Sequence, residues 1–213
     1  MPEVAVVDYG VGNLFSVRRA LETCGATVEV TSDPNIILSS SRVILPGVGA
    51  FADGMAELRS QGLDEVVREV VKQGNFLLGI CLGMQMLLDE SEEFGTNEGL
   101  GLISGSVVPI PVTTLDGRPQ KIPHIGWSSL VLSSDLKIFR SGLLQNIKSG
   151  EAVYFAHSFM ANPTNPSHRL AECAYGGKTI SAVIQNDNLF GCQFHPEKSG
   201  EVGLQVLQNF LSL

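Results

Sequence analysis

The sequence predicts an α/β fold in which a mixed, mostly parallel central sheet is flanked by helices, within one domain spanning residues 1–213. Three observations carry this. In the first half, short β-branched runs alternate with helix-period patterns, the rhythm of successive βαβ units. In the second half, strand-like runs are punctuated by Gly, Pro and Asn, which reads as a mixed or antiparallel extension of the same sheet. No stretch between the halves is long enough to be a domain linker, and at 44% hydrophobic residues the chain can build one sizeable core.

The elements follow in order. Residues 4–7 form the first strand, and Leu14, Val17, Leu21 and Cys24 then recur at helical spacing. Strands are expected again at 27–30 and 43–45, and a helix from about Asp64 to Lys72 carries Val66, Val67 and Val70 on one face. Residues 76–80 read as a buried strand and 82–90 as the helix that follows it. Parallel strands need crossover helices, so this part of the sheet is expected to be covered on both faces. Further along, 107–110, 130–132, 153–155, 180–185 and 189–194 read as strands, and 200–211 as a closing helix. Residues 162–166 and 186–188 have the Asn/Pro/Asp composition of surface turns.

Composition narrows the function. With 14 basic and 22 acidic residues the net charge is −8, which argues against nucleic acid or an anionic membrane as the main partner. The cysteines at 24, 81, 173 and 192 form no C-x-x-C pair, so a reducing, cytoplasmic setting is expected. His124, His157, His168 and His195 lack metal-ligand spacing, and neither a metal nor a cofactor is expected. Met1-Pro2-Glu3 leads straight into an apolar strand with no basic leader, and the longest apolar stretch, 76–84, is short of the ~18 residues needed to span a bilayer.

Two local patterns could carry chemistry. Gly79-Ile80-Cys81-Leu82-Gly83 stands where a strand ends and a helix begins. A residue on such an elbow protrudes above the sheet, flanking glycines let backbone approach closely, and the helix N-terminus favours thiolate at Cys81 while the Leu82 N–H faces a developing oxyanion. The competing reading is a buried, inert cysteine. The second pattern is His195-Pro196-Glu197. Proline favours extended geometry before it, so Glu197 can reach the imidazole of His195 and orient it as a general base. Together they make a nucleophile, base and orienter. Gly47-Val48-Gly49-Ala50-Phe51-Ala52 matches a dinucleotide fingerprint, but Pro46 interrupts the strand-to-turn entry; an adaptable peptide presenting N–H groups to a reacting carbonyl is the better use. Gly10-Val11-Gly12 fails the same fingerprint at Phe15. Trp127, the only tryptophan, lies in what reads as a glycine-containing loop and is either a core indole or an interface anchor.

Over essentially its whole length, this chain resembles the class I (triad) glutamine amidotransferases, which cleave glutamine through a glutamyl thioester and deliver ammonia to a synthase. The elbow, His195-Pro196-Glu197 and Pro46-Gly47-Val48-Gly49 carry the resemblance. It implies Cys81 as nucleophile, His195 as base and acid, Glu197 as orienter, and Val48 and Leu82 as backbone donors to the oxyanion. It also implies that Gly49, Gln85 and Glu93 hold the substrate glutamine. Within the family, the segments 8–14, 46–51, 124–127 and 154–159 are similar to those of the glutaminase subunits of imidazole glycerol phosphate synthases. That likeness implies a heterodimer with a (β/α)8 cyclase subunit, and it places Asn13, His124, Trp127, Tyr154 and Lys198 toward that partner. A glutaminase subunit of another synthase, such as anthranilate synthase, a catalytically silent scaffold and a stand-alone cysteine hydrolase are the alternatives.

Overall fold

The computed structural model describes residues 3–132 and 142–213. β1 (Val4–Val7) is buried along its whole length because its two faces meet different helices. Val4 and Val6 join Val17 and Leu21 of α1 (Leu14–Thr23) and Val206 and Phe210 of α6 (Gly200–Leu211). Ala5 and Val7 face the other way, onto Ile37 of α2 (Pro34–Ser39), Met55 and Leu58 of α3 (Phe51–Ser60), and Val67 and Val70 of α4 (Leu63–Lys72). Strand periodicity alone divides these apolar residues between two cores.

Around β1 lie β2 (Val28–Thr31) and β3 (Arg42–Leu45), then β4 (Phe76–Ile80), all parallel. After α5 (Leu82–Met86) comes a second, four-stranded sheet built from β5 (Leu88–Ser91), β6 (Asn97–Glu98), β7 (Ile103–Pro109) and β10 (Phe159–Pro163). Its order is β10-β7-β5-β6. The main sheet continues with β8 (His124–Leu132), β9 (Ala152–His157), β11 (Arg169–Tyr175), β12 (Lys178–Asn186) and β13 (Leu189–Cys192). Its nine strands run β2-β1-β3-β4-β13-β12-β11-β8-β9. β13 is parallel to β4, and every pairing from β13 to β9 is antiparallel. The mixed, helix-flanked central sheet expected from the sequence is the fold observed, but its pairings are four parallel and four antiparallel rather than mostly parallel, because the second half of the chain adds its strands by antiparallel pairing.

Three expectations about elements need correction. The helix expected over 82–90 stops at Met86, because Leu88–Ser91 pairs in parallel with β7 as part of the second sheet. The apolar residues continue through Leu87 and Leu88 past the end of the helix, and such a run does not distinguish those outcomes. Residues 124–127, expected as a loop, belong to β8, which pairs with β9 from His124↔His157 to Ser129↔Ala152. The expected turn at 162–166 begins later, since Asn162 and Pro163 still pair with β7. The helices at 34–39 and 51–60 were not anticipated, whereas the closing helix spans the expected residues.

Candidate active site

β4 and β13 lie side by side and point the same way, with Ile80 opposite Cys192. The chain leaves both strands at one edge, which brings Cys81 and His195 together although they are far apart in sequence. The Cys81 N–H donates to the Cys192 carbonyl at 2.7 Å, tying the two exits to each other. Cys81 then turns the chain sharply into α5, with φ 54° and ψ −108°, a conformation natural to glycine and costly for other residues. Its glycine neighbours permit the turn. A Cβ on Gly83 would sit 1.8 Å from the Leu45 carbonyl oxygen, and one on Gly79 would sit 2.7 Å from the Gly83 backbone. Helix α5 is therefore pressed onto the ends of β3 and β4, and Cys81 is held at its N-terminus.

His195 follows β13 in extended geometry, and its Nδ1 lies 2.8 Å from a carboxylate oxygen of Glu197. Both side chains are buried. Burial alone would lower the imidazole pKa, but hydrogen bonding to Cys81 and Glu197 and the charges of both outweigh it, raising His195 to about 9. The backbone of His195 is fixed as well: its N–H donates to the Tyr154 carbonyl at 2.9 Å, and the Ser199 hydroxyl donates to its carbonyl at 2.6 Å. The same Ser199 oxygen accepts the Tyr154 N–H at 2.9 Å.

Cys81, Leu82 and His195 line a cleft of about 340 Å³ together with Val48, Gly49, Gln85, Glu93 and Lys198, a size suited to a small ligand. Gly49 has a left-handed φ of 93°. The preceding Gly47 admits no side chain, since a Cβ there would meet the Tyr9 hydroxyl, Gly83 N and Leu82 within 3 Å. Tyr9 donates to the Pro46 carbonyl at 2.7 Å and so anchors the turn from beneath. Glu93 accepts the Phe51 N–H at 2.7 Å, at the start of α3. The remaining cysteines are poor nucleophiles: burial pushes Cys173 up to about 12, raises Cys192 further, and raises the half-buried Cys24.

The structure thus gathers Cys81, His195, Glu197, Val48, Gly49, Leu82, Gln85 and Glu93 in one place. The residues expected toward a partner divide. Trp127 is 57% exposed and packs edge-on against Tyr154 across the β8–β9 pair, with ring centroids 6.0 Å apart. Lys198 is exposed at the cleft rim, and Asn13 is half-buried just before α1. His124 differs from its expectation: its side chain is buried, stacked between Phe155 and Tyr175, because alternation along β8 turns it inward while Ile125 and Trp127 face out. Among the described residues, no helix is long and apolar enough to cross a membrane, and no cluster of side chains has the makings of a metal site.

Sequence reasoning missed Gln193, His157, Tyr9 and Ser199. Gln193 alone carried a local signal, standing two residues before His195 and so on the same face of an extended chain. Its Nε2 lies 3.7 Å from Cys81 Sγ, and the Cys81 thiol also faces the Ala156 carbonyl oxygen at 3.9 Å.

Comparison with known proteins agrees with this geometry. Proteins named imidazole glycerol phosphate synthase subunit HisH are similar throughout: HisH 1 of Legionella pneumophila (strain Lens) is 52% identical over 213 residues, with all of both chains covered. HisH of Geobacillus sp. (strain WCH70) is 47% identical, covering 99% of this chain and 96% of that one. Among solved structures, PurLQS from Thermotoga maritima shares the fold at TM-score 0.74 and 21% identity, covering 99% and 98% of the two chains. The glutaminase domain of CTPS from Trypanosoma brucei does so at 0.65 and 17%, covering 100% and 92%. The family described as glutamine amidotransferase class-I matches residues 5–213, the span that holds both strand exits and every residue of the cleft, and the chain belongs to that family.

Proposed function

We propose that this chain is the glutaminase subunit of an imidazole glycerol phosphate synthase. The observation that carries the chemistry is the convergence of Cys81 with the His195–Glu197 pair at adjacent parallel strand ends, over a cleft of amino-acid size. Full-length similarity to HisH subunits supports the synthase assignment.

In this reading the Cys81 thiolate attacks the side-chain carbonyl carbon of glutamine. A C–S bond forms, and the carbonyl electrons move onto oxygen, where the Leu82 and Val48 N–H groups receive them. The C–N bond then breaks as His195, holding its proton on the ring, protonates the departing nitrogen, and ammonia leaves a glutamyl thioester. Water next attacks the thioester, His195 takes its proton, the C–S bond breaks and glutamate is released. Glu197 keeps the ring oriented with Nε2 toward the reacting groups and stabilises its charged form. Glu93 offers a carboxylate to the substrate ammonium. Gln85, whose Nε2 is occupied by Phe159 and Gln193, has its carbonyl oxygen left for a substrate N–H.

A subunit that makes ammonia requires an acceptor, and the partner in this reading is a (β/α)8 cyclase docked over Trp127, Tyr154 and Lys198, with ammonia passing into it away from bulk water. The setting is the cytoplasm. Cys81→Ser tests the assignment: in the assembled synthase, glutamine-dependent product formation should vanish while synthesis from added ammonium salts persists, since only amide cleavage uses the sulfur. Equal loss of both activities would sink it.

A further inference from the structure

Behind the thiol lies a set of polar side chains whose hydrogen bonds can be oriented from one backbone atom. The carbonyl oxygen of Phe159 can only accept. It lies 2.9 Å from Gln85 Nε2 and 2.7 Å from His157 Nδ1, so both nitrogens donate to it. Gln85 Nε2 also stands 3.0 Å from the side-chain oxygen of Gln193. The Gln193 amide is thereby turned with its nitrogen toward Cys81, 3.7 Å from Sγ.

The other branch is fixed in the same way. With its hydrogen on Nδ1, neutral His157 has Nε2 free to accept, and it takes the Nδ1 hydrogen of His124 at 3.1 Å. His124 Nε2 then accepts the Ser128 hydroxyl at 2.9 Å. Burial holds both rings neutral, lowering His124 to about 4 and His157 to about 3; the nearby His195 also disfavours charge on His157. Gln193 has no solvent exposure, so its amide hydrogens have no bulk water to turn to.

We infer that Gln193 is a further catalytic residue of the glutaminase: its side-chain N–H donates to the Cys81 sulfur, favouring thiolate over thiol and fixing the direction of attack. Gln85, the Phe159 carbonyl and His157 stand behind it as positioning groups. This rests on the reading of Cys81 as nucleophile. A donor to sulfur stabilises the anion most, so its effect falls on the fraction of thiolate more than on the reactivity of each thiolate.

Gln193→Met keeps the length and apolar packing of the side chain and removes the donor. Alkylation of Cys81 by iodoacetamide, followed across pH by mass spectrometry of the Cys81 peptide, should show its midpoint moved up by about one pH unit in the variant, which is about tenfold less thiolate on the limb below it. An unchanged midpoint in a variant with an unaltered melting temperature overturns the inference. A second measurement uses the unaltered chain: the side-chain amide resonance of Gln193 should shift with pH at the alkylation midpoint, and a resonance indifferent to that titration overturns the inference independently. Neither readout consumes glutamine, so a chain without glutaminase activity would count against the proposed function and leave this test standing.

Discussion

His195 is the residue at which folding and chemistry act on the same proton. Its pKa is raised from an ordinary 6.5 to about 9, so the folded state binds the proton more tightly than the unfolded chain does. The resulting stabilisation is present in full below about pH 6.5 and is lost as pH rises through about 9. Glu197→Gln removes the carboxylate and with it part of the upward pull. Urea unfolding at pH 7 and pH 10 should therefore show the unaltered chain losing more stability than Glu197→Gln. In glutaminase assays Glu197→Gln should fall less than His195→Ala, since an orienter contributes less than the base itself. At this scale the sequence was most informative where the chemistry is local: Gly79, Gly83 and Pro196 sit beside the residues they shape. His157 stayed silent, and Gln193 signalled no more than a shared face with His195, because their partners, Gln85, Phe159 and His124, come from other strands and helices.

Helix α5 shows what an element can require of single atoms. Its first turn is packed so closely onto the end of β3 that Gly83→Ala would drive a methyl group into the Leu45 carbonyl, with backbone on both sides of the collision. Relief requires moving α5, and with it Cys81. Gly83→Ala should lower stability by about 3 kcal/mol or more and abolish glutaminase activity even where some protein folds; melting temperature and glutamate release check the two halves separately. The strands of the parallel half were legible because each is a short run of β-branched or other apolar residues set between helix-period segments and turns. Only the end of β8, 130–132, was legible; Gly126, Ser128 and Ser129 dilute the alternation before it, and the pairing of residues 124–129 with β9 shows them to be strand. The second sheet was hidden for a related reason. Of its strands only β7 was foreshadowed, by the run at 107–110; β10 pairs with β7 across a long sequence separation and leaves little local pattern to read.

Across the whole molecule, alternation along β8 places Ile125, Trp127 and Val131 on one exposed face, beside the cleft mouth at Lys198. A tryptophan more than half exposed and braced by Tyr154 has the character of an interface anchor. Trp127→Ala should weaken cyclase binding about 30-fold, measured by calorimetric titration, while thiol alkylation at Cys81 in the free chain proceeds as before. The tie from Tyr154 to the backbone of His195 places this face one residue from the site. The left-handed turn at Cys81, with φ 54°, bears on the lineage as well as on the molecule. Glycine at that position would relax the backbone by about 1–3 kcal/mol, so drift unchecked by demand for ammonia runs downhill toward a better-folded chain that has lost its sulfur.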